Sequence, residues 1–236
     1  MRVHELWRYP VKSLQGERLD SVELTPDGLE GDRRYAIFDV GTGFGLTGRR
    51  HPELLFASAR LLDGGVVEIT LPDGTVAADD GELSLWLGRP VTLVSVDYGT
   101  GRHYENVTDY EQEPTSGWEP FTGADGAFHD QAAARVTLVS TATIGSWDGR
   151  RFRANVLLEG EGEDALVGSS VGLGSARLDV GLKISRCVMT TRAQPGIERD
   201  LDVLRTIARE REACLAVGAL VSQPGTVHVG DTLGAS

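Results

Sequence analysis

The segment from Lys183 to Gly196 contains the strongest candidate for chemistry in the sequence, the thiol of Cys187. It follows an apolar, strand-like run over 180–184, stands next to Arg186, and precedes a loop that ends in a Pro-Gly turn. A neighbouring arginine favours the thiolate, which is the form that attacks electrophiles or binds a metal. Cysteines also pack in cores without any reactive role, so this segment alone leaves both interpretations open.

Basic and hydroxyl residues recur at the ends of the predicted strands. They are Lys12 with Ser13, Asp32 with Arg33, Thr47 with Arg49, Arg153 with Asn155, and Arg186 beside Cys187. Lysine and arginine bind phosphate oxygens, whereas any one of these residues taken singly could be an ordinary surface charge. Together with a candidate thiolate they predict a ligand with an anionic tail and a thiophilic centre.

Other kinds of catalytic site receive little support. The five histidines are scattered, and neither Cys-x-x-Cys nor His-Glu-x-x-His occurs, which argues against a zinc site. No P-loop is present, and two cysteines are too few for an iron–sulfur cluster. A cysteine hydrolase would need a histidine that reaches Cys187 in the fold, and the sequence leaves that pairing open.

The bulk properties predict a cytoplasmic protein. The net charge of −12 over 236 residues argues against binding to nucleic acid or to a membrane surface. No apolar run is long enough to span a membrane, and the first ten residues lack the apolar region of a secretory signal. Two cysteines provide no disulfide framework, as is usual in a reducing compartment.

The first hundred residues predict short strands separated by turns. The apolar runs are 3–9, 19–24, 34–40, 54–61, 66–71 and 91–96. Turn sequences such as Pro-Asp-Gly stand between them, and this spacing is typical of a barrel or sandwich. We therefore predict a mostly β fold with a few helices.

A glycine motif, Gly43-x-Gly45-x-x-Gly48, matches the dinucleotide-binding fingerprint. That fingerprint requires a helix directly after it, because the pyrophosphate binds at the helix N-terminus. The sequence that follows is turn-like and contains Pro52. We interpret the glycines as the tip of a hairpin.

The composition changes between residues 97 and 130, where eight carboxylates stand against the single Arg102. A loop this long is either a solvated insertion or a functional surface such as a lid or docking site. Beyond it, the sequence predicts a strand over 135–140, a short helix from Thr141, and strands near 171–180. We further predict a helix capped by Asp200 with Leu201, Leu204 and Ala208 on one face, a core position for Cys214, and a closing strand.

The chain resembles the MOSC domain proteins that carry an N-terminal β-barrel domain, including the mitochondrial amidoxime-reducing component and its bacterial relatives. The matching motifs are, in chain order, Y-P-V-K-S (9–13), G-L-E-G-D-R-R-Y (28–35), T-G-R-R-H-P-E-L (47–54), R-F-R-A-N-V (151–156), S-R-C-V-M-T-T (185–191) and P-G-T-V-H-V-G-D (224–231). The six motifs stand in the family's order, and the resemblance extends over nearly the whole chain. The resemblance implies an N-terminal β-barrel-like domain over 1–98, an acidic connecting loop over 99–130, and a MOSC β-barrel domain over 131–236.

The resemblance also implies a molybdenum cofactor (molybdopterin) between the two domains, with Cys187 as the catalytic residue and the metal ligand. The implied cofactor-binding residues are Lys12, Ser13 and Arg33 at the pterin and its phosphate, Arg153 and Asn155 along the same cleft, Thr47 and Arg49 in the third motif, Ser140 or Thr141 as a further hydrogen-bonding position, and Arg186 beside the thiolate. Thiolate is a soft ligand that suits a thiophilic transition metal.

The implied activity is the reduction of N-hydroxylated or N-oxide compounds, which are small-molecule substrates. Electrons would come from a separate flavin or iron–sulfur protein, and the acidic segment is a candidate for its docking surface. The alternative is a sulfur carrier or C–S bond-processing protein in which Cys187 bears a persulfide and no molybdenum is bound. The chain departs from the family pattern at Ala154, at 192–196 and at 215–220, which bears on the substrate more than on the fold.

Overall fold

The protein is mostly β, with three α-helices among the residues that the structure describes. The structure is a computed structural model, and it describes residues 1–98, 102–109 and 112–235. The predicted fold class is confirmed. In these ranges no helix is both long enough and apolar enough to cross a membrane.

Seventeen strands occur in the described ranges. In chain order they are β1 (Arg2–Arg8), β2 (Glu17–Leu19), β3 (Ser21–Thr25), β4 (Gly28–Leu29), β5 (Tyr35–Asp39), β6 (Ser58–Leu61), β7 (Val67–Thr70), β8 (Val91–Ser95), β9 (His103–Val107), β10 (Trp118–Thr122), β11 (Val136–Ser140), β12 (Val156–Glu159), β13 (Ser170–Leu173), β14 (Ala176–Ser185), β15 (Cys214–Gln223), β16 (Gly225–His228) and β17 (Leu233–Ala235).

The helices are short and lie in the connections between strands. The α-helices are α1 (Asp80–Leu87), α2 (Thr141–Ile144) and α3 (Asp202–Arg211). The 3-10 helices are Pro52–Phe56, Asp63–Gly65, Val96–Tyr98, Glu113–Thr115, Gly149–Phe152, Glu163–Leu166 and Val188–Thr191.

The largest sheet joins the two ends of the chain. Its eight strands run in the order β17-β13-β14-β15-β11-β12-β1-β2, and all neighbours are antiparallel except β11 and β12. Val3 and Leu6 of β1 and Val22 and Leu24 of β3 pack into one apolar core with strands from the C-terminal half. The first thirty residues therefore complete the sheet that the last hundred build, across the boundary predicted at residue 98.

A second core is built from residues 11–93. It contains Val11, Leu14, Ile37, Leu54 and Leu83, all nearly or fully buried. Strands β5 and β8 pair across it, as do β6 and β7. The loop between β1 and β2 contributes to this core, so the chain passes from one core to the other within a few residues of Tyr9.

The predicted acidic loop contains a hairpin. Strands β9 and β10 pair with each other in antiparallel fashion, and Tyr104 of β9 packs against Phe38 and Phe128 in a small aromatic core. The parts of the predicted loop at residues 99–101 and 110–111 lie outside the described residues. Residues 123–135 connect this hairpin to β11.

Three local predictions are corrected by the structure. The apolar run 54–61 begins in a 3-10 helix that starts at Pro52, and only its second half is strand β6. Helix α1 was not predicted, although Asp79 caps its first turn and Gly88 ends it in a left-handed conformation. In α3 the buried face comprises Val203, Leu204 and Ile207, whereas Leu201 and Ala208 are exposed.

Two other predictions are confirmed. The Gly43–Gly48 motif forms a turn after β5, closed by Gly43 N–H to Asp39 O (2.9 Å) and by a bridge between Phe38 and Gly45. Helix α2 begins at Thr141, as predicted.

Candidate functional site

A cleft of about 380 Å³ is lined by residues from both halves of the chain. Its lining residues are Lys12, Ser13, Arg33, Thr47, Arg49, Asn106, His129, Asp130, Gln131, Ala134, Thr137, Arg151, Phe152, Arg153, Ile184, Ser185, Arg186, Cys187, Met189 and Thr190. The eight of them that the sequence predicted lie outside the strands, in the connections between elements.

Cys187 stands two residues beyond the last residue of β14 and is half-buried in the cleft wall. Its sulfur accepts a hydrogen bond from Arg49 Nε at 3.3 Å. Arg49 is 138 residues away in sequence and is not the neighbour that the sequence singled out. That neighbour, Arg186, donates instead to the backbone oxygens of Leu215 (2.6 Å) and Phe152 (2.9 Å).

Arg49 is held from three sides. Besides the Cys187 sulfur, its guanidinium contacts Asn106 Oδ1 at 3.3 Å and Asp130 Oδ2 at 3.4 Å. Its guanidinium carbon also lies 5.7 Å from the centre of the Phe121 ring. The Cys187 and Asp130 charges outweigh the effect of burial, so the pKa of Arg49 is raised and the group stays cationic.

Lys12 is a buried cation that shares Asp130 with Arg49, and 6% of the residue is exposed. Its Nζ donates to Phe128 O at 3.1 Å and forms an ion pair with Asp130. Burial lowers the pKa of Lys12, and the Asp130 carboxylate opposes that shift. Conversely, Lys12 and Arg49 together hold the pKa of Asp130 well below its usual value, although burial acts in the other direction.

Three cleft residues have left-handed backbone conformations. Ser13 has a φ of 71°, and Arg33 and Arg153 each have a φ of 51°. Non-glycine residues rarely adopt such angles, and they cost free energy that the surrounding structure must supply. Each lies in a sharp loop between elements, which turns its side chain towards the cleft lining. Such strained residues concentrate at functional sites.

Unpartnered nitrogen atoms are buried in the wall of the cleft. Among the described residues, Arg153 Nη2, Arg186 Nη2 and His129 Nε2 have no hydrogen-bond partner. Burial lowers the pKa of both arginines to about 10, which still leaves them cationic at neutral pH. An unsatisfied buried donor costs free energy unless a ligand supplies the partner.

The residues present fit a phosphate-bearing cofactor with a thiophilic metal. Cationic donors without a partner suit phosphate oxygens, and a single thiol suits a soft metal. No group of three or more His, Cys, Asp or Glu side chains in the described ranges could hold a metal ion. A metal bound to Cys187 would therefore take its other ligands from a cofactor.

Eight of the eleven predicted site residues line this cleft. They are Lys12, Ser13, Arg33, Thr47, Arg49, Arg153, Arg186 and Cys187. What each of them binds stays a prediction.

The other three predicted site residues are not among the residues that line this cleft. Asn155 is fully buried and joins two strands, accepting from Thr137 Oγ1 (2.9 Å) and donating to Trp7 O (3.2 Å). Ser140 is fully buried and caps α2 through Thr143 N–H (3.2 Å). Thr141 lies on a separate groove and bonds Gly160.

Sequence reasoning did not assign twelve of the twenty lining residues to the site, among them Asp130, His129 and Arg151. His129 is 4% exposed, and burial lowers its pKa to about 3, so the imidazole is neutral at physiological pH. Arg151 donates to the backbone oxygens of Thr190, Arg192 and Glu198 and thereby fixes the segment after the cysteine. Arg151 lies in a quoted motif, whereas no sequence pattern distinguishes His129 from the other histidines.

The acidic segment turns several of its carboxylates towards the protein. The ion pairs are Asp97 with Arg34, Glu105 with Arg50, Glu113 with Arg192, and Asp130 with Lys12 and Arg49. These four side chains are therefore engaged within the chain. Docking of an electron-transfer protein on this segment stays a prediction.

Cys214, predicted to be in the core, is only half-buried. It begins β15 opposite Ser185 of β14. It does not belong to the lining of the cleft.

Comparison with known proteins identifies two domains along the chain. Residues 1–96 match the MOSC N-terminal beta barrel domain, and residues 122–234 match the MOSC domain. None of the curated proteins matches the chain.

Among solved structures, the YUAD protein from Bacillus subtilis is similar at 12% identity, with 98% of this chain and 93% of that chain covered and a TM-score of 0.48. YiiM from Geobacillus stearothermophilus is similar at 15% identity, with 58% of this chain and 73% of that chain covered and a TM-score of 0.37.

Proposed function

Because the chain belongs to the MOSC domain proteins with an N-terminal β-barrel domain, a family associated with molybdenum-cofactor binding, we propose that it binds molybdopterin in the cleft and reduces N-hydroxylated or N-oxide compounds. The observation that carries the proposal is the half-buried Cys187 thiol in a cleft whose wall contains the unpartnered Nη2 atoms of Arg153 and Arg186. A soft ligand and buried cationic donors are what a metal with a phosphorylated organic cofactor requires.

Different side chains would bind the metal and the organic part of the cofactor. Cys187 would be the metal ligand, and the N–H of Arg49 at 3.3 Å would orient its sulfur. Lys12, Ser13 and Arg33 would hold the pterin and its phosphate. Arg153 would donate its free Nη2 to the same group. When bound, the cofactor supplies two-electron oxygen-atom abstraction, while the protein supplies orientation and charge. Electrons would arrive from a separate flavin or iron–sulfur protein.

The decisive experiment measures molybdenum per folded chain after expression in a molybdenum-replete host. We expect about one molybdenum per chain in the natural protein and almost none in Cys187→Ser, because a hydroxyl is a poor ligand for a thiophilic metal. The double variant Lys12→Ala/Arg33→Ala should keep its fold and lose most of the cofactor.

Asn155→Ala is the matched control. Asn155 lies outside the cleft lining and bonds Thr137 and Trp7, so its loss should lower stability by about 1–3 kcal/mol without lowering the molybdenum content of the folded fraction. Equal molybdenum in Cys187→Ser and the natural protein would refute metal ligation by Cys187.

A persulfide on Cys187 is the second candidate. The Arg49 N–H that reaches the sulfur would also stabilise a persulfide anion. Metal-free protein that carries sulfane sulfur on Cys187, lost in Cys187→Ser, would favour a sulfur carrier over the molybdenum reductase.

A further inference from the structure

The cleft is strongly basic although the protein as a whole is acidic, with a net charge of −12. Its lining contains the cations Lys12, Arg33, Arg49, Arg151, Arg153 and Arg186 and one carboxylate, Asp130. Asp32 pairs with Arg33 from behind the wall. A phosphate group adds only about two negative charges. Cations therefore remain in excess even with such a group bound.

Three of these cations are already engaged with other groups of the protein. Arg151 has three backbone carbonyl partners, and Arg33 donates to Arg153 O besides its pair with Asp32. Lys12 is buried and paired with Asp130. These contacts fix the cations in the wall.

Arg49 differs because its contacts are all long. Its N–H groups lie 3.3 Å from the Cys187 sulfur, 3.3 Å from Asn106 Oδ1 and 3.4 Å from Asp130 Oδ2. Charge-assisted hydrogen bonds to oxygen are typically about 2.7–2.9 Å long, so the two oxygen contacts of this guanidinium are weak. A guanidinium has five N–H donors, and the side chain of Arg49 is 14% exposed, so a ligand can reach it.

The N–H donors of Arg49 that remain available to a ligand lie beside Cys187. Its Nε already contacts the Cys187 sulfur, so an anion bound to the outer edge of the guanidinium lies close to the sulfur. Two parallel N–H donors match a carboxylate or similar oxyanion in bidentate fashion.

We propose that Arg49 forms an anion subsite beside Cys187 that selects substrates carrying a carboxylate or another oxyanion. The substrate class is then an N-oxygenated compound with a negatively charged group near the reacting atom, and this part rests on the proposed function. The Asp130 carboxylate weakens the binding of an anion at this subsite, because it already pairs with both Arg49 and Lys12. The anion preference itself does not depend on molybdenum.

The test compares two alkylating reagents that differ by one charge, anionic iodoacetate and neutral iodoacetamide, on the full-length chain without molybdenum. Both rates at Cys187 are followed by mass spectrometry of the peptide that contains it. A change in the reactivity of the thiol affects both rates alike, so it cancels in their ratio. We expect Arg49→Gln to lower the iodoacetate-to-iodoacetamide ratio about tenfold at low salt. Asp130→Asn should raise the ratio, and added salt should weaken both effects.

The matched control is Arg60→Gln, which removes the same charge from an exposed arginine paired with Glu68. Its ratio should equal that of the natural protein. An unchanged ratio in Arg49→Gln, or an equal fall in Arg60→Gln, would overturn the proposal. Asp130→Asn moves the ratio in the opposite direction, so the proposal stays testable if Arg49→Gln does not fold.

Molybdenum content separates this inference from the proposed function. A shifted ratio in a chain that never binds molybdenum would refute the reductase and leave the anion subsite standing. An unshifted ratio in a chain that binds molybdenum would do the reverse.

Discussion

At the scale of single residues, the cleft wall contains the neutral imidazole of His129 among its cationic side chains. His129 is buried against Lys12 and Arg33, whose charges add to the effect of burial on its pKa. Its Nε2 has no partner among the described residues. A neutral imidazole in a basic wall can hydrogen-bond a ligand without adding to the positive charge.

We expect His129 to make the protein less stable in mild acid. Burial lowers its pKa to about 3, whereas the imidazole of an unfolded chain titrates near 6.5. Below about pH 6.5 the unfolded chain binds a proton that the folded chain excludes, so stability is lost as pH falls towards 3. The slope is at most about 1.4 kcal/mol per pH unit. Urea unfolding of His129→Gln between about pH 7 and pH 5 should show a shallower dependence.

The control for this experiment is His228→Gln, because the His228 side chain is 60% exposed. That variant should keep the pH dependence of the natural protein. The same shallow slope in both variants would show that burial of His129 is not the cause.

At the scale of elements, the hairpin β9–β10 is anchored to the rest of the protein by Tyr104. A Cβ added to Gly45 would lie 2.3 Å from Tyr104 Cε1, whereas one added to Gly43 would meet nothing. Gly43 instead has a φ of +73°, which an alanine tolerates poorly. Glycine is therefore needed at position 45 because a side chain would clash with Tyr104, and at position 43 because the backbone has a positive φ.

We expect Gly45→Ala to cost more stability than Gly43→Ala. The methyl group added in Gly45→Ala overpacks the contact with Tyr104, which costs about 1–3 kcal/mol of stability. Gly43→Ala only strains a turn, which costs about 1 kcal/mol. Urea unfolding at neutral pH measures both. A cost for Gly45→Ala no larger than that for Gly43→Ala would show that the hairpin moves away easily.

The elements also show what the sequence could and could not reveal. Apolar runs separated by Pro-Asp-Gly turns identified many of the strands, because these patterns are local. The run 54–61 carried the same signal, but its first residues belong to a 3-10 helix that begins at Pro52, with Leu54 and Leu55 both buried. Helix α1 was missed although Asp79, Glu82 and Gly88 carry capping signals, since its apolar pattern is weak.

The site could be predicted only in part, for a physical reason. Motifs at strand ends located eight of the twenty residues that line the cleft, because strand ends meet at one place in a barrel-like fold. The contact between Arg49 and Cys187 spans 138 residues and depends on tertiary packing alone. Asn155 carried the same signal as Arg153, but its side chain faces the opposite way, into the sheet.

At the scale of the whole molecule, the two cores depend on each other. Strand β1 lies between β12 and β2 in the eight-stranded sheet, and Val3 and Leu6 are nearly or fully buried there. Polar contacts also cross the cleft, such as Arg153 Nη1 to Leu14 O at 2.6 Å.

We expect the predicted MOSC domain, 131–236, not to fold when expressed alone. Without β1 and β3, strand β12 keeps an open edge and a large apolar surface meets water. Circular dichroism and urea unfolding should show no cooperative transition in this fragment, while the full chain unfolds cooperatively. A cooperative transition in the fragment would mean that the first thirty residues are dispensable for this sheet.

The pairing of β1 with β12 also determines how long β1 stays unpaired during translation. Arg2 pairs with Glu159, which the ribosome adds 157 residues later. At about 5–20 residues per second β1 waits for roughly eight to thirty seconds. During that interval its edge is open to foreign strands, so a chaperone that binds nascent chains has a reason to cover β1 until β12 is made.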